Sequence, residues 1–293
     1  MRRLLFCTLV IAFLFYGCGK SNNGQNERLK MITIQSEALG KDMISQVYLP
    51  ENYDSSIKYP VLYFLPSNGG SSYTVIHQFG ITEAADELTQ SGQIHPMIIV
   101  ALGIDNSFGL NSNVETREIS KELSTDNYDV TIHEGMYEDY IVYEAIPYID
   151  EHFNTDASRG GRYIGGYSMG GFAALYVAFH HPDLFAKAGG HSPSLFVDVS
   201  GYDENSWQKW LYPNEEVRAE RDPILLAGSK DLNGLSVFLD TGETDPNVEG
   251  CQKLYEQLAT NQIPSEFHLY SRTHGFEYCH SYMQEYLLFY SSK

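Results

Sequence analysis

Gly165-Gly166-Tyr167-Ser168-Met169-Gly170-Gly171 decides the reading of this chain. The stretch follows a short apolar run, Arg162-Tyr163-Ile164, and leads into Phe172-Ala173-Ala174-Leu175-Tyr176-Val177-Ala178, which reads as a helix. Its centre, Gly166-x-Ser168-x-Gly170, has the spelling of a nucleophile elbow, a sharp strand-to-helix turn with a serine at its apex. Side chains at 166 and 170 would collide with such a turn, so both positions require the absence of a Cβ. The helix that follows sets backbone N–H groups beside the serine oxygen, where an oxyanion forms during acyl transfer. The spelling gains its meaning from its place between a predicted strand and a predicted helix.

Working outward, the 293 residues suit one large domain or two small ones, and 43% hydrophobic content with 22 tyrosines supports a substantial core. The net charge is −19, and no basic cluster interrupts it past the N-terminus. A nucleic-acid or anionic-membrane surface is therefore disfavoured, and the acidity reads as solubility.

Residues 1–17 stand apart from the fold. Arg2 and Arg3 precede the apolar run Leu4–Tyr16, which is shorter than the ~20 residues a membrane-spanning helix needs. Gly17-Cys18-Gly19 follows, and then a polar tract. This resembles a bacterial lipoprotein signal with lipidation at Cys18, although Phe15 stands where such signals usually carry Leu. Residues 18–30 are then a flexible tether and 31–293 a single domain, exported and anchored to a membrane only through lipid on Cys18. An oxidising location would also permit a disulfide between Cys251 and Cys279, with two buried thiols as the alternative.

Residues 31–36 and 43–49 alternate in part with period two and read as an antiparallel pair at a sheet edge. Residues 59–65 and 96–102 are continuous apolar runs of the kind that parallel strands covered on both faces require. Helical patterns at 74–90, 137–153 and 248–262, with further strands at 162–166, 185–190, 235–240 and 265–270, predict an α/β fold with a mainly parallel sheet. Pro147 is expected to kink the second of these helices. Two irregular insertions, 103–136 and 192–222, interrupt the alternation, and the second carries Trp207 and Trp210.

A serine hydroxyl is a poor nucleophile near neutral pH without a base. Among ten histidines, His274 is best placed, in a tight turn after the last predicted strand. His280 falls within the final helix, His180 and His181 end the nucleophile helix, and His191 is placed to line a pocket. The base needs a carboxylate to fix its tautomer. Asp245, on the loop beyond a strand, and Asp240, at that strand's end, compete for this place, with Asp231 a distant third; Asp245 is preferred. The order Ser…Asp…His along the chain is that of the α/β-hydrolase fold. The oxyanion donors fall to the N–H of Met169 and to one from the loop after residue 65. Pro66 cannot donate, which leaves Ser67 and Asn68, and Asn68 is preferred. No spacing suggests a metal site, and no phosphate or dinucleotide fingerprint implies a cofactor.

With these residues assembled, residues 32–290 resemble the esterase D / putative esterase family of α/β-hydrolases, especially its feruloyl-esterase-like carbohydrate esterases. The resemblance is carried by Tyr48-Leu49-Pro50, Tyr59-Pro60-Val61-Leu62-Tyr63, Ile146-Pro147-Tyr148-Ile149, the elbow, His181-Pro182-Asp183-Leu184-Phe185 and Thr273-His274-Gly275-Phe276. It implies Ser168 as nucleophile, His274 as base, Asp245 as acid and Met169 as an oxyanion donor. One departure stands out: such enzymes usually carry His-Gly where this chain has Pro66-Ser67. The implied activity is serine-dependent hydrolysis of a small or oligosaccharide ester, such as a feruloylated or acetylated polysaccharide fragment. Trp207, Trp210 and Tyr167 are the candidates for substrate contact. A siderophore (catecholate) esterase, with Arg117 and Lys121 as cationic candidates, and a non-catalytic glycan-binding lipoprotein are the alternatives.

Overall fold

The computed structural model describes residues 28–113, 119–124 and 129–292. The signal and the lipidation cysteine expected at residues 1–18 lie outside the described residues. An eight-stranded sheet runs in the order β1-β2-β4-β3-β7-β8-β9-β10. Its strands are β1 (Leu29–Ser36), β2 (Lys41–Tyr48), β3 (Val61–Leu65), β4 (Ile98–Ala101), β7 (Arg162–Tyr167), β8 (Lys187–His191), β9 (Ser236–Gly242) and β10 (Ser265–Tyr270). β1 and β2 pair antiparallel, β2 pairs antiparallel with β4, and the remaining neighbours are parallel. This is the α/β-hydrolase arrangement that the alternating pattern predicts. β1 begins at Leu29, and Arg28 is already bonded to Asp86, so the folded domain starts ahead of residue 31.

Helices cover both faces. α1 (Ser72–Gln78), α2 (Ile81–Gln90) and the C-terminal α5 (Phe276–Ser291) pack on one side, against Leu62, Phe64 and Ile99. α3 (Met169–His180) and α4 (Val248–Thr260) pack on the other, against Val61, Ile164 and Val237. Every residue of α3 from Met169 to Phe179 is buried, which explains its almost uninterrupted apolar sequence.

Three local readings are corrected. The helix expected over 74–90 is two helices, broken at Gly80, whose φ of +68° suits glycine. The irregular segment 103–136 contains an antiparallel hairpin, β5 (Ile119–Ser124) with β6 (Asp129–Glu134). The helix of 137–153 passes through a π-helical turn, Tyr140–Ala145, before Ile146–His152. Pro147 sits in the first turn of that last segment, where its missing N–H costs least.

Cys251 and Cys279 are free, buried thiols rather than a disulfide. Cys251 belongs to the core on the α4 side of the sheet and Cys279 to the core on the α5 side, so the sheet itself separates them.

Candidate active site

The elbow joins β7 to α3. Ser168 sits at its apex with φ 57° and ψ −117°, a conformation that costs ~1–3 kcal/mol and persists only where the surroundings enforce it. Its N–H donates to the His191 carbonyl (2.9 Å), and its carbonyl accepts from Phe172 N–H (3.0 Å) and Ser194 N–H (3.2 Å). The glycines are required by close approach of backbone. A Cβ on Gly166 would stand 2.4 Å from the Gly170 carbonyl carbon, and one on Gly170 would stand 2.2 Å from the Leu65 carbonyl oxygen. The end of β3 thus presses directly onto the elbow.

Ser168 Oγ lies 3.0 Å from Nε2 of His274, and His274 Nδ1 lies 2.8 Å from Oδ2 of Asp245. Three side chains from three separate loops at the C-terminal edge of the parallel strands form one line. Burial alone would push the Asp245 carboxyl up. The hydrogen bonds from His274, Ser192 and the Asn247 N–H hold it below the usual range. His274 keeps a side-chain exposure of 32%, so the base meets solvent while the acid does not.

Asp240 has a different partner. Wholly buried, it accepts from His191 Nδ1 (2.7 Å), the Tyr278 hydroxyl (2.5 Å) and the Tyr286 hydroxyl (2.9 Å), and His191 Nε2 meets the Tyr290 hydroxyl at 3.0 Å. His191 therefore lines no pocket; it lies inside the core, stacked on Tyr286 at 3.6 Å. This network ties α5, and with it the His274 turn, to β8 and β9. Asp231 is exposed on a turn, and His280 is exposed on α5.

Tyr167 is not a substrate contact. It is buried at 1% exposure, its ring stacks beside His274 (5.0 Å), and its hydroxyl accepts the Gly275 N–H at 2.7 Å. It is a rest for the base. Trp207 and Trp210 are half-buried and clasp the two insertions together. Trp207 stacks on Phe108 at 5.2 Å, and Trp210 Nε1 donates to Glu134 Oε1 at 2.6 Å. One face of Trp207 is thus already occupied. Arg117 lies outside the described residues, and Lys121 is exposed on β5.

Beyond β3 the chain turns through Ser67-Asn68-Gly69-Gly70. Gly70 N–H bonds to the Ser67 carbonyl (2.9 Å), and Gly69 has φ +70°, as a tight turn with glycine at its third position requires. Asn68, half-buried, is the second residue of this turn, and the carbonyls of Leu65 and Pro66 just before it press on Gly170 of the elbow. The turn is held from outside by Asn106, whose Oδ1 accepts Gly69 N–H (2.7 Å) while its Nδ2 donates to the Thr131 carbonyl (3.0 Å). The Ser67 hydroxyl is buried and has no partner among the described residues.

Two residues at this site escape sequence reasoning. Ser192 touches both Asp245 and His274, and Asn106 fixes the turn after β3. The signal for Ser192 was its place directly after the β8 strand. For Asn106 nothing local marks it out.

Among the described residues, no group of three or more His, Cys, Asp or Glu side chains is arranged to hold a metal ion. No described helix is long and apolar enough to cross a membrane.

A sequence profile of the Esterase family, described as "Putative esterase", matches residues 36–290. The chain belongs to this esterase family. Its class of chemistry is carboxylic ester hydrolysis. An endo-1,4-beta-xylanase/feruloyl esterase of Xylanibacter ruminicola is 31% identical over 183 residues, which are 60% of this chain and 22% of that protein. The esterase therefore spans only a small part of that relative's length. An S-formylglutathione hydrolase of Arabidopsis thaliana is 25% identical over 278 residues, covering 87% of this chain and 90% of the relative. Among solved structures, a ferulic acid esterase superposes with a TM-score of 0.73 at 23% identity, covering 90% of this chain and 97% of its own. The ferulic acid esterase of Anaeromyces mucronatus, solved with ferulic acid, gives 0.69 at 18% identity, with 89% of each chain covered. At these identities the structural likeness speaks for the fold.

Proposed function

We propose that the esterase hydrolyses carboxylic esters through a Ser168–His274–Asp245 triad, and that its substrates are acylated fragments of polysaccharide. The observation that carries the chemistry is the unbroken line from Ser168 Oγ through His274 to Asp245 at the elbow. His274 takes the hydroxyl proton as Ser168 Oγ attacks the ester carbonyl, and Asp245 stabilises the imidazolium that forms. The N–H groups of Met169 and Asn68 receive the oxyanion. Collapse of the tetrahedral intermediate passes the proton from His274 to the leaving alcohol. Water then repeats the sequence on the acyl-enzyme, with His274 again as base, and releases the acid. An intact triad disfavours a purely sugar-binding role.

For the substrate, a cleft of about 390 Å³ at the same edge of the sheet supports the reading. Its walls are Lys41–Ile44 of β2, Gly103 and Asp105 beyond β4, and Gly70–Tyr73, the continuation of the turn that carries Asn68. β2 runs antiparallel to β4, so its first residues lie at the elbow end. Tyr73 is 58% exposed beside Ile44 at 56%, and Lys41 is paired with Asp105 at 2.7 Å while Asp42 adds negative charge. An aromatic face with carboxylates around it suits a neutral sugar better than an anion.

The second reading is hydrolysis of S-formylglutathione, favoured by the near full-length likeness to the plant relative. The absence of net positive charge at the cleft speaks against an anionic thioester.

The location also remains a proposal: export and anchoring through Cys18. β1 enters the sheet with Leu29 paired to Tyr48, at the edge opposite the elbow. A tether on Cys18 would thus join the domain at the end of the sheet opposite the catalytic edge. The test of the function is hydrolysis of methyl hydroxycinnamates, aryl acetates, a catecholate triester and S-formylglutathione by wild type and Ser168→Ala. Cinnamate turnover lost in the variant supports the proposal; preference for the thioester or the triester replaces the substrate, and wild-type inactivity on every ester removes the function.

A further inference from the structure

We propose that Ser192 is a positioning residue of the catalytic machinery, a role that rests on the assignment of Ser168, His274 and Asp245 above. Its hydroxyl donates to Asp245 Oδ2 and lies 3.0 Å from His274 Nδ1, which is itself 2.8 Å from the same Oδ2. Three polar atoms therefore close a triangle. A serine hydroxyl has a single proton, and here the carboxylate takes it, so the oxygen facing Nδ1 can only accept. Both neighbours of Nδ1 are then acceptors, and the imidazole must carry its hydrogen there. Nε2 is left with its lone pair toward Ser168 Oγ at 3.0 Å, the tautomer a general base needs. The second carboxylate oxygen is held by Asn247 N–H at 2.8 Å, so Asp245 is fixed from both ends.

An independent observation lies in the backbone. Ser192 has φ +45°, in the left-handed region that residues other than glycine avoid. The fold keeps it there. Ser192 N–H donates to the Asp240 carbonyl (2.8 Å), the preceding His191 carbonyl accepts the N–H of Ser168 (2.9 Å), and Ser194 N–H donates to the carbonyl of Ser168 (3.2 Å). The segment 191–194 thus grips the nucleophile's backbone on both sides while the Ser192 hydroxyl grips acid and base. A glycine would adopt this φ without strain, but it has no hydroxyl to offer. The strained serine is explained by the hydroxyl.

During acylation the Ser168 proton passes to Nε2, and the positive charge on the ring faces Asp245 across Nδ1. The Ser192 proton stays on its own oxygen throughout. Its work is to keep the carboxylate and the ring in register while the proton moves.

The test compares Ser192→Ala, Ser192→Gly and Ser168→Ala in the full chain, with p-nitrophenyl acetate as substrate, by steady-state kinetics and thermal melting. Both Ser192 variants are expected to lose about 10- to 100-fold in kcat, the range of a hydrogen bond to a charged group, with KM within about twofold. The Gly variant is expected to melt above the Ala variant, because its backbone is no longer strained. Activity that recovers with stability in Ser192→Gly would show a backbone role only and overturn the proposal, as would a rise in KM at unchanged kcat. Retained turnover in Ser168→Ala sinks the triad itself. Loss there, with wild-type kcat in both Ser192 variants, sinks only the role of Ser192.

Discussion

The side-chain amide of Asn106 holds the backbone N–H of Gly69 at 2.7 Å, and its other end is anchored on the Thr131 carbonyl of β6 at 3.0 Å. One residue from the insertion after β4 thereby fixes the turn that carries Asn68. Asn106→Ala should release the turn and lower kcat about tenfold, with KM little changed, because a donor that is ordered only after binding stabilises the transition state less. Steady-state kinetics on an aryl acetate checks this; a change confined to KM would instead place the turn in substrate binding.

The two competing aspartates should separate cleanly. Asp245→Asn keeps the shape but not the charge, and it should lower kcat of the folded protein about 10³- to 10⁴-fold. Asp240→Asn disturbs a buried carboxylate with three donors, and it should cost about 3 kcal/mol of stability while the correctly folded fraction keeps its turnover. Melting curves and active-site-normalised rates for both variants decide the matter.

Acid should unfold the protein through its low-lying carboxyls. Burial raises Asp245 and Glu138, but their hydrogen bonds outweigh it, from His274 and Ser192 to the first and from His181 and Tyr176 to the second. Both are held below the ordinary range. For a carboxyl depressed in the folded state, the stabilisation is complete above the unfolded value of ~4 and is lost as pH falls through the folded one. The urea midpoint should therefore drop from pH 5 to pH 3, and less steeply in Asp245→Asn than in wild type. A midpoint that rises on acidification contradicts this.

The cleft beside the turn makes a prediction about substrates. Tyr73→Ala should raise KM about five- to tenfold for a feruloylated oligosaccharide and leave methyl ferulate unchanged, since stacking on a sugar contributes ~1 kcal/mol. Equal effects on both esters would show that Tyr73 serves the acyl group or the fold.

Much of this was legible in the sequence, and the reasons are local. Gly166 and Gly170 announce an elbow because a Cβ on either would stand 2.4 or 2.2 Å from neighbouring backbone atoms. The buried parallel strands announce themselves as apolar runs because both faces are covered. What failed to show depended on partners far along the chain. His191 reads as a pocket residue until Tyr278, Tyr286 and Tyr290 arrive on α5 and enclose it with Asp240. Cys251 and Cys279 leave a disulfide open until the sheet comes between them. Tyr167 reads as a substrate contact until the His274 turn packs over its ring. Ser192 and Asn106 act through atoms contributed by distant loops, and no spacing rule reaches that far. The hairpin β5–β6 was hidden because two short, polar, half-exposed strands carry little period-two contrast.

The most direct measurement is to trap the acyl-enzyme. The protein is mixed with p-nitrophenyl acetate, quenched in acid within the first turnover, digested and analysed by mass spectrometry. The account predicts an acetyl group on the peptide carrying Ser168, absent in Ser168→Ala, together with a burst of p-nitrophenol matching the enzyme concentration. Turnover that persists in Ser168→Ala, or an acetyl group on another side chain, would contradict it.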